Sequence, residues 1–357
     1  MTGPFTRMEA EILSQRLLLE AGVGDLVSAA RAAVDGLPRP ARLVLTGCGD
    51  SICSAGAVAR SLAERAGLPA IAVSPLTILR TEACLQEGDL LVALSVSGRT
   101  ARVVEAAGSV RKAGRRVLAL TCGKDAPITR EAERTLVLPY APGKEILPGT
   151  LSFTAGLLTF LAVAEALSPD EGGGEDLAAA SRPAAARLLA LISRARELAA
   201  AVSPDAALHL LALGDLVPIA DYGRMKLLEC CARDAVVSDP EEWCHGPFFV
   251  AGSGSLLTCL IASQDDASFF APAVAAAARI GAGAIGVVDS AESAARAGLS
   301  PDRVVVVEGG GPLTPLLCAV PLQVLAMERA RRLGTVPFGF SDAQRRSANH
   351  GAIYGRE

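Results

Sequence analysis

A chain of 357 residues has room for two domains of ordinary size, or for one large α/β domain. A formal net charge of −4 and an isoelectric point near 5.6 argue against a general nucleic-acid-binding surface. Residues 1–8 lack the apolar core of a signal peptide, and we expect a cytoplasmic protein.

Short apolar runs alternate with helical patterns through the first half of the chain. Strands are predicted at residues 42–46, 70–74, 90–94, 116–121 and 135–139, with helices at about 52–66, 100–113 and 150–167. Residues 149–167 are apolar enough to raise the question of a membrane span. Their several Ser and Thr residues, and Glu165 near the end, favour a buried helix instead.

The same alternation returns after an acidic, glycine-rich linker at residues 168–176. Helices are predicted at 182–201, 218–234 and 315–333, and strands at 207–213, 235–237, 255–262, 284–288 and 303–307. The two halves share the order and rough length of their elements, which predicts an α/β protein with two tandem doubly wound parallel-sheet domains. Ligands of such domains bind at the carboxyl ends of the strands, near the point where strand order reverses.

The cysteines indicate a reducing compartment rather than a disulfide framework. None of the nine stands in a Cys-x-x-Cys pair. Cys48, Cys122, Cys259 and Cys318 lie inside apolar runs, and most of the nine are predicted to be small buried hydrophobes.

Three hydroxyls surround a glycine directly after the apolar strand at 90–94. Ser95, Ser97 and Thr100 lie in the turn into the next helix, where backbone N–H groups and the positive end of the helix dipole favour an anion. Gly98 lets the backbone come close to a ligand. These features predict a phosphate site. The alternative is a helix cap rich in Ser and Thr that binds no ligand.

A second group of polar residues follows in the other half. Lys226 and Glu229 are three residues apart on one predicted helix and therefore share a face, and His245 directly precedes a Gly-Pro turn. On a sugar, a carboxylate can carry a proton between adjacent carbons while a histidine opens the ring or protonates a leaving group. The alternatives are a surface ion pair and a structural histidine. Metal binding is not expected, because no second histidine stands at ligand spacing.

These motifs together resemble the sugar isomerase (SIS) domain family in its double-domain form. The pattern is closest to the isomerase half of glucosamine-6-phosphate synthase and to its deglycase and isomerase relatives, and the resemblance covers nearly the whole chain. The matching segments, in chain order, are residues 8–15, 48–51, 95–100, 226–229, 245–247 and 320–326.

The resemblance implies a role for each matched residue. The phosphate and sugar end would be held by Ser51, Ser95, Val96, Ser97 and Thr100. Glu229 would be the proton-shuttling base, with Lys226 orienting it. His245 would open the ring or act as general acid, from its own chain or from the partner subunit of a homodimer. By the same resemblance, residues 1–172 hold an N-terminal extension and the first SIS domain, 173–335 the second, and 336–357 a tail near the active site.

Three departures from the family pattern argue against aminotransferase activity. The sequence has no glutaminase domain, and no lysine follows Lys226 to stand for the Schiff-base lysine of the synthase tail. The segment after Glu145 also lacks the usual Thr-Lys. His350 would either line the site from the tail as a polar group or belong to a disordered end.

We therefore predict an isomerase that moves a proton between C1 and C2 of an open-chain sugar 6-phosphate, without cofactor or metal. The first alternative is an amino-sugar-phosphate deaminase or a fructosamine-phosphate deglycase, in which His245 protonates the departing nitrogen. The second is a non-catalytic phosphosugar sensor. The expected partners are a small-molecule phosphosugar and a second copy of the chain, with no nucleic acid and no membrane.

Overall fold

The first five strands form one parallel sheet. The computed structural model describes residues 3–81, 85–143, 146–169, 176–308, 310–339 and 343–354. Its first strands are β1 Arg42–Thr46, β2 Ala70–Ala72, β3 Asp89–Leu94, β4 Arg116–Thr121 and β5 Arg134–Val137. Their order across the sheet is β2-β1-β3-β4-β5, and all neighbours are parallel. All six residues of the central strand β3 are buried: the uncharged run 90–94, as predicted, and also Asp89, whose carboxylate pairs with Arg42.

The other five strands form a second parallel sheet. They are β6 Ala207–Ala212, β7 Ala235–Ser238, β8 Ser255–Ile261, β9 Gly283–Val288 and β10 Val304–Val306. The order is β10-β9-β8-β6-β7, again parallel throughout. Read from its β7 edge, the order is β7-β6-β8-β9-β10, which repeats the order of the first sheet. In each sheet, the strands that come second and third along the chain lie on opposite sides of the strand that comes first. The predicted pair of tandem doubly wound sheets is confirmed, with reversal points between β1 and β3 and between β6 and β8.

Helices connect the strands and precede or follow the sheets. They are α1 Thr6–Leu17, α2 Val23–Val34, α3 Asp50–Ala66, α4 Pro75–Arg80, α5 Ala101–Lys112, α6 Pro127–Arg130, α7 Leu151–Ala166, α8 Leu177–Ala201, α9 Val217–Cys231, α10 Pro240–His245, α11 Gln264–Arg279, α12 Ala291–Arg296, α13 Thr314–Leu333 and α14 Ala343–Tyr354. A π-helical segment, Leu18–Gly22, joins α1 to α2.

The chain divides into two compact units, each containing one sheet. Within the described residues, Leu17–Arg182 and Phe340–Glu357 form the first-sheet unit, and Met1–Arg16 and Pro183–Gly339 form the second-sheet unit. Helix α1 therefore belongs with the second sheet, and α14 with the first. The predicted domain limits at 172 and 335 stay a prediction, and residue 172 and most of the predicted linker lie outside the described residues.

The most apolar helix of the first half is a core helix. Every residue of α7 from Phe153 to Ala164 is buried, which confirms the predicted buried helix. In the described residues one segment, Gly311–Leu333, has the length and composition that a membrane span would need. Because 78% of its most apolar window is buried inside the protein, it too is packed as a core helix.

The cysteine prediction was wrong for two residues. Cys259 and Cys318 are buried as expected, but Cys48 is exposed and Cys122 is only half-buried. Both follow the carboxyl end of a strand, β1 and β4 respectively, where the chain leaves the core. All eight cysteines in the described part of the chain are free thiols, and Cys84 lies outside it.

Candidate functional site

The predicted phosphate-binding residues lie at the reversal point of the first sheet. β1 and β3 are hydrogen-bonded neighbours, and each is followed by a helix, α3 after β1 and α5 after β3. The N-termini of both helices therefore lie at the carboxyl edge of the sheet, where their unpaired N–H groups and dipoles favour an anion.

A close approach at Gly47 brings the two turns together. A Cβ built on Gly47 would lie 2.5 Å from the Cβ of Ser51 and 3.1 Å from the carbonyl oxygen of Leu94. Ser51, in the first turn of α3, therefore lies against the end of β3, next to Ser95. The structure thus brings together residues that the sequence separates by more than forty positions.

The loop after β3 is held by hydrogen bonds within itself. Ser95 is only 2% exposed, and its hydroxyl donates to Oγ1 of Thr100 at 3.1 Å and accepts from the Thr100 N–H at 3.5 Å. The Ser97 hydroxyl accepts from the Arg99 N–H at 3.2 Å. Oγ1 of Thr100 and Oγ of Ser97 are thus hydrogen-bond acceptors inside the loop, so their own protons can be donated to a ligand. Ser95 braces the loop rather than facing outward.

The alternative of a plain helix cap does not fit this geometry. Thr100 is the N-cap residue of α5, but its side chain makes no capping hydrogen bond to that helix. Gly49, the N-cap of α3, has no side chain with which to cap. The hydroxyls of the loop are therefore not used to cap the two helices.

The thiols at this edge are not poised as nucleophiles. Partial burial raises the pKa of the Cys122 thiol to about 11, so it stays protonated at neutral pH. Its N–H donates to the carbonyl of Val96 at 3.0 Å, which ties the turn after β4 to the hydroxyl loop. Cys122 therefore supports the loop through its backbone. Val96 is likewise held by its backbone and is half-buried.

The second-sheet unit carries the Lys226–Glu229 pair on α9. Lys226 is completely buried, and its Nζ lies 2.5 Å from Oε2 of Glu229 and 5.0 Å from the ring centroid of Tyr222. The Glu229 side chain is 24% exposed. The alternative of a surface ion pair was therefore wrong, because one partner has no contact with solvent. A desolvated ammonium fixes one oxygen of a carboxylate that solvent can still reach.

Tyr222 was missed in the sequence. It is fully buried one helical turn before Lys226, and the i, i+4 spacing on α9 was the signal available. The apolar environment of the pair comes from α13. A Cβ built on Gly223 would lie 2.6 Å from Cδ1 of Leu322, so this glycine allows α9 and α13 to pack closely.

His245 is at the surface, at the C-terminal end of α10. Its side chain is 70% exposed, and Nε2 lies 3.2 Å from Oε1 of Glu241, which is itself exposed. The structural histidine of this region is His209, whose Nδ1 accepts from the indole Nε1–H of the buried Trp243 at 3.2 Å. Burial lowers the pKa of His209, so the neutral acceptor form is favoured. The alternative that His245 is a structural histidine of the core therefore does not hold.

Glu229 and His245 are not brought together within one chain. Helix α9 connects the parallel strands β6 and β7, so it runs antiparallel to both, and its last turn lies at the amino end of β7. Helix α10 begins after the carboxyl end of the same strand. Four residues of β7, roughly 13 Å of strand, lie between the two ends.

His350 lies on a helix rather than in a disordered end. It is exposed on α14, and its ring contacts that of Tyr354 at an interplanar angle of 46°, with centroids 4.7 Å apart. Helix α14 packs against α5, the helix that begins after Thr100. Within the described residues, no group of three or more His, Cys, Asp or Glu side chains could hold a metal ion.

Comparison with known proteins identifies the first-sheet unit. The family model described as the SIS domain matches residues 37–166, which include all five strands of that sheet and the hydroxyl loop. Glutamine–fructose-6-phosphate aminotransferase (isomerizing) of Pyrobaculum aerophilum is 28% identical over 284 residues, covering 76% of this chain and 46% of the relative. The chain spans about half the length of the curated relatives it matches.

Solved structures share the fold over nearly the whole chain. Tagatose-6-phosphate ketose/aldose isomerase from Escherichia coli superimposes with a TM-score of 0.73 at 20% identity, covering 93% of this chain and 94% of that one. Glucosamine-6-phosphate deaminase from Thermotoga maritima gives 0.67 at 16% identity, covering 91% and 97%. At these identities the likeness shows the fold alone and not the reaction.

Proposed function

Residues 37–166 form a SIS domain, and from that premise we propose that the protein is a phosphosugar isomerase that moves a proton between C1 and C2 of an open-chain sugar 6-phosphate. The observation that carries this proposal is the Lys226–Glu229 pair. The buried ammonium of Lys226 holds one oxygen of the Glu229 carboxylate, and the Glu229 side chain is still partly exposed to solvent. A proton-shuttling base needs such a carboxylate, fixed in position and accessible to a substrate. The isomerase in the name of the Escherichia coli protein supports the same reaction class.

The phosphate is bound, in this proposal, by uncharged donors. Ser51, Ser97 and Thr100 supply hydroxyls, and the N-termini of α3 and α5 supply N–H groups and dipoles. Ser95 and Val96 hold the loop in shape, the first by its side chain and the second by its backbone. Arg99, exposed between Gly98 and Thr100, is the one charged side chain of this loop and adds a positive charge beside the neutral donors.

Glu229 carries the proton. It takes the C2 hydrogen of the aldose as O1 is protonated, which gives an enediol. The same carboxyl returns that proton to C1 as O2 loses its own, and a ketose forms. Lys226 keeps one carboxylate oxygen in place while the other meets the substrate.

His245 is proposed to act on a second copy of the chain. Within one chain it lies at the other end of β7 from Glu229, so it is poorly placed to share a substrate with that residue. Phe249 and Val250, which follow it at once, are 79% and 78% exposed and offer apolar surface for a second copy to cover. We propose a cytoplasmic homodimer in which His245 opens the sugar ring and moves protons at O1 and O2.

Removal of an amine is the second candidate. Several curated relatives are named aminotransferases and one structural neighbour is named a deaminase, so an amino-sugar phosphate or fructosamine phosphate fits the same residues. After the same proton transfer at C2 or C1, His245 would give a proton to the leaving nitrogen and water would complete the release. Residues 227–357 contain no lysine, and neither proposed reaction uses a Schiff base from this segment.

Proton exchange in D2O tests the proposal. The protein is incubated with glucose, fructose, tagatose and glucosamine 6-phosphates, and deuterium at C1 and C2, new isomers and released ammonia are measured by NMR and mass spectrometry. Glu229→Gln is expected to keep thermal stabilisation by the sugar phosphate and to lose roughly 10²–10⁴-fold in exchange. Exchange at the wild-type rate would remove Glu229 from the mechanism. Stabilisation by ligand without exchange in the wild type would favour the sensor.

A further inference from the structure

Two of the matched sequence segments have no part in the chemistry proposed so far. Residues 8–15 end in Gln15 on α1, and residues 320–326 contain Gln323 on α13. Both side chains are completely buried in the second-sheet unit. Nε2 of Gln15 donates to Oε1 of Gln323 at 2.7 Å, so the two segments meet at these two amides.

The hydrogen bonds continue toward α9. Nε2 of Gln323 donates to the hydroxyl oxygen of Tyr222 at 3.0 Å. The Tyr222 ring lies under the ammonium of Lys226, with Nζ 5.0 Å from its centroid, and that ammonium holds Oε2 of Glu229. Gln15, Gln323 and Tyr222 thus form a buried relay, here called the Gln–Gln–Tyr relay, that ends at the catalytic pair.

The direction of each hydrogen bond in the relay follows from the one before it. Gln15 also donates to the backbone carbonyl of Ile12 at 3.2 Å, which fixes its amide on α1. Its donation to Oε1 of Gln323 decides which way the second amide faces, so the NH₂ of Gln323 must face Tyr222. In a dry core each of these groups is costly to leave unpaired, and alternative orientations are therefore disfavoured.

The relay matters because an aromatic ring attracts a cation best over its face. A buried lysine has a flexible four-carbon side chain, and an ion pair at one end does not alone fix its position. A Tyr222 ring fixed by its hydroxyl supplies a second fixed point for Nζ. The position of Glu229 then depends on that of Lys226, because the two share a hydrogen bond.

We propose that the Gln–Gln–Tyr relay positions Lys226 and, through it, Glu229 for proton transfer. Gln15, Gln323 and Tyr222 are positioning residues in this scheme and touch no substrate. The inference rests on the proposed function for its effect on turnover. Its effect on Lys226 itself can be measured without any substrate.

The first measurement observes Lys226 directly. The chain has four lysines, so a protein labelled with ¹³Cε-lysine gives a simple NMR spectrum, in which the Lys226 signal is the one lost in Lys226→Met. The Tyr222 ring shifts the Lys226 ε protons, and Gln323→Met, which leaves both of these residues intact, is expected to move that signal toward the position of an exposed lysine. Tyr222→Phe, which keeps the ring and removes the hydroxyl, is expected to move it in the same direction and replaces Gln323→Met if that variant does not fold.

Thr258→Val is the matched control. Thr258 is also fully buried in the second-sheet unit, on β8, and its hydroxyl oxygen has no hydrogen-bond partner among the described residues. Its replacement perturbs the core by one polar atom without touching the relay, and the Lys226 signal is expected to stay at the wild-type position. A Lys226 signal that is unchanged in Gln323→Met, or that moves as far in the control, overturns the proposal.

The second measurement connects the relay to turnover. With the best substrate of the exchange panel, Gln323→Met is expected to lower kcat about tenfold with KM unchanged, because misplacement of a catalytic group is costly while phosphate binding stays intact. A variant that raised KM and left kcat alone would contradict positioning. If the wild type exchanges no proton on any sugar phosphate, the proposed function fails, whereas the NMR comparison still decides whether the relay holds Lys226.

Discussion

Gly98 shows how one residue adapts the hydroxyl loop for a ligand. It has a positive φ of +67°, and a Cβ at this position would lie 2.3 Å from the Cβ of Ala126 and 2.8 Å from Oγ1 of Thr121. Both the backbone conformation and the space therefore require glycine. From the sequence we predicted that Gly98 lets the backbone approach a ligand. The sequence did not show that the turn after β4 packs directly against Gly98.

Gly98→Ala is expected to destabilise the protein by roughly 2–4 kcal/mol, from the left-handed conformation and from overpacking against Ala126. Gly114→Ala is the control, since its φ is +73° and nothing lies within 4 Å of the added Cβ. That variant should lose only about 1 kcal/mol. Urea unfolding of both variants measures the difference. Equal losses would show that the loop absorbs the extra methyl group.

The burial of Lys226 was beyond sequence reasoning for a physical reason. A Lys-x-x-Glu pair on a helix has the same pattern whether solvent or another helix covers it. The packing of α13 over Gly223 decides between these two environments, and it depends on residues about a hundred positions away in the chain. The spacing predicted that Lys226 and Glu229 share a helix face, whereas tertiary packing determines whether that face is buried.

Lys226→Met is expected to separate stability from activity. Replacing both partners of a buried ion pair by apolar side chains is often neutral or stabilising, but this variant removes only one of the two charges. Because the remaining Glu229 carboxylate is 24% exposed, the loss in the free energy of unfolding should stay below the roughly 3–5 kcal/mol expected for a fully buried uncompensated charge. Proton exchange on the sugar phosphates should fall steeply, because Glu229 loses the ammonium that holds it. Chemical denaturation and the D2O assay on the same preparation measure both. A large loss of stability would mean that the pair serves the fold first.

At the scale of elements, the strands were predictable and several helices were not. All ten strands lie where runs of three to eight residues were predicted, because a parallel strand buried on both faces needs an apolar run. Helix α11 was not predicted, because Pro272 stands in its interior and its buried face consists mostly of alanines. Helices α1 and α2 were covered only by the predicted N-terminal extension.

Helix α10 is anchored by a pair whose strength depends on pH. Burial lowers the pKa of His209 below its ordinary value of 6.5, so the folded protein keeps it neutral while the unfolded chain binds a proton. Its contribution to stability is complete above pH 6.5 and is lost as the pH falls from there toward the folded-state pKa. The neutral ring accepts from Trp243, so protonation also breaks this hydrogen bond.

His209→Gln should therefore flatten the dependence of unfolding free energy on pH between about 6.5 and 5, since glutamine accepts the indole proton and does not titrate. Trp243 is the only tryptophan of the chain, so its fluorescence reports unfolding without a label. The comparison is made between the two proteins at each pH, which cancels the other titrating groups. Parallel curves of unfolding free energy against pH for the two proteins would exclude His209 as the source of this pH dependence.

For the whole molecule, the separation of Glu229 and His245 along β7 makes a quantitative prediction. Glu229→Gln and His245→Ala are each expected to be inactive. If His245 serves a second copy, a random mixture of the two refolded together should regain about a quarter of wild-type activity, because half of the dimers are mixed and each has one intact site. A mixture that stays inactive would place both residues in one chain's site or remove His245 from the reaction.

The identical strand order of the two sheets leaves the chain with two reversal points but with different residues at each. After β1 and β3 the polar side chains are mostly hydroxyls, with the single carboxylate of Asp50, whereas after β6 and β8 they include Asp215, Asp265 and Asp266. Carboxylates there would repel a phosphate. Two units with one strand order can thus differ in chemistry, because the residues that follow the strands differ while the order of the strands does not.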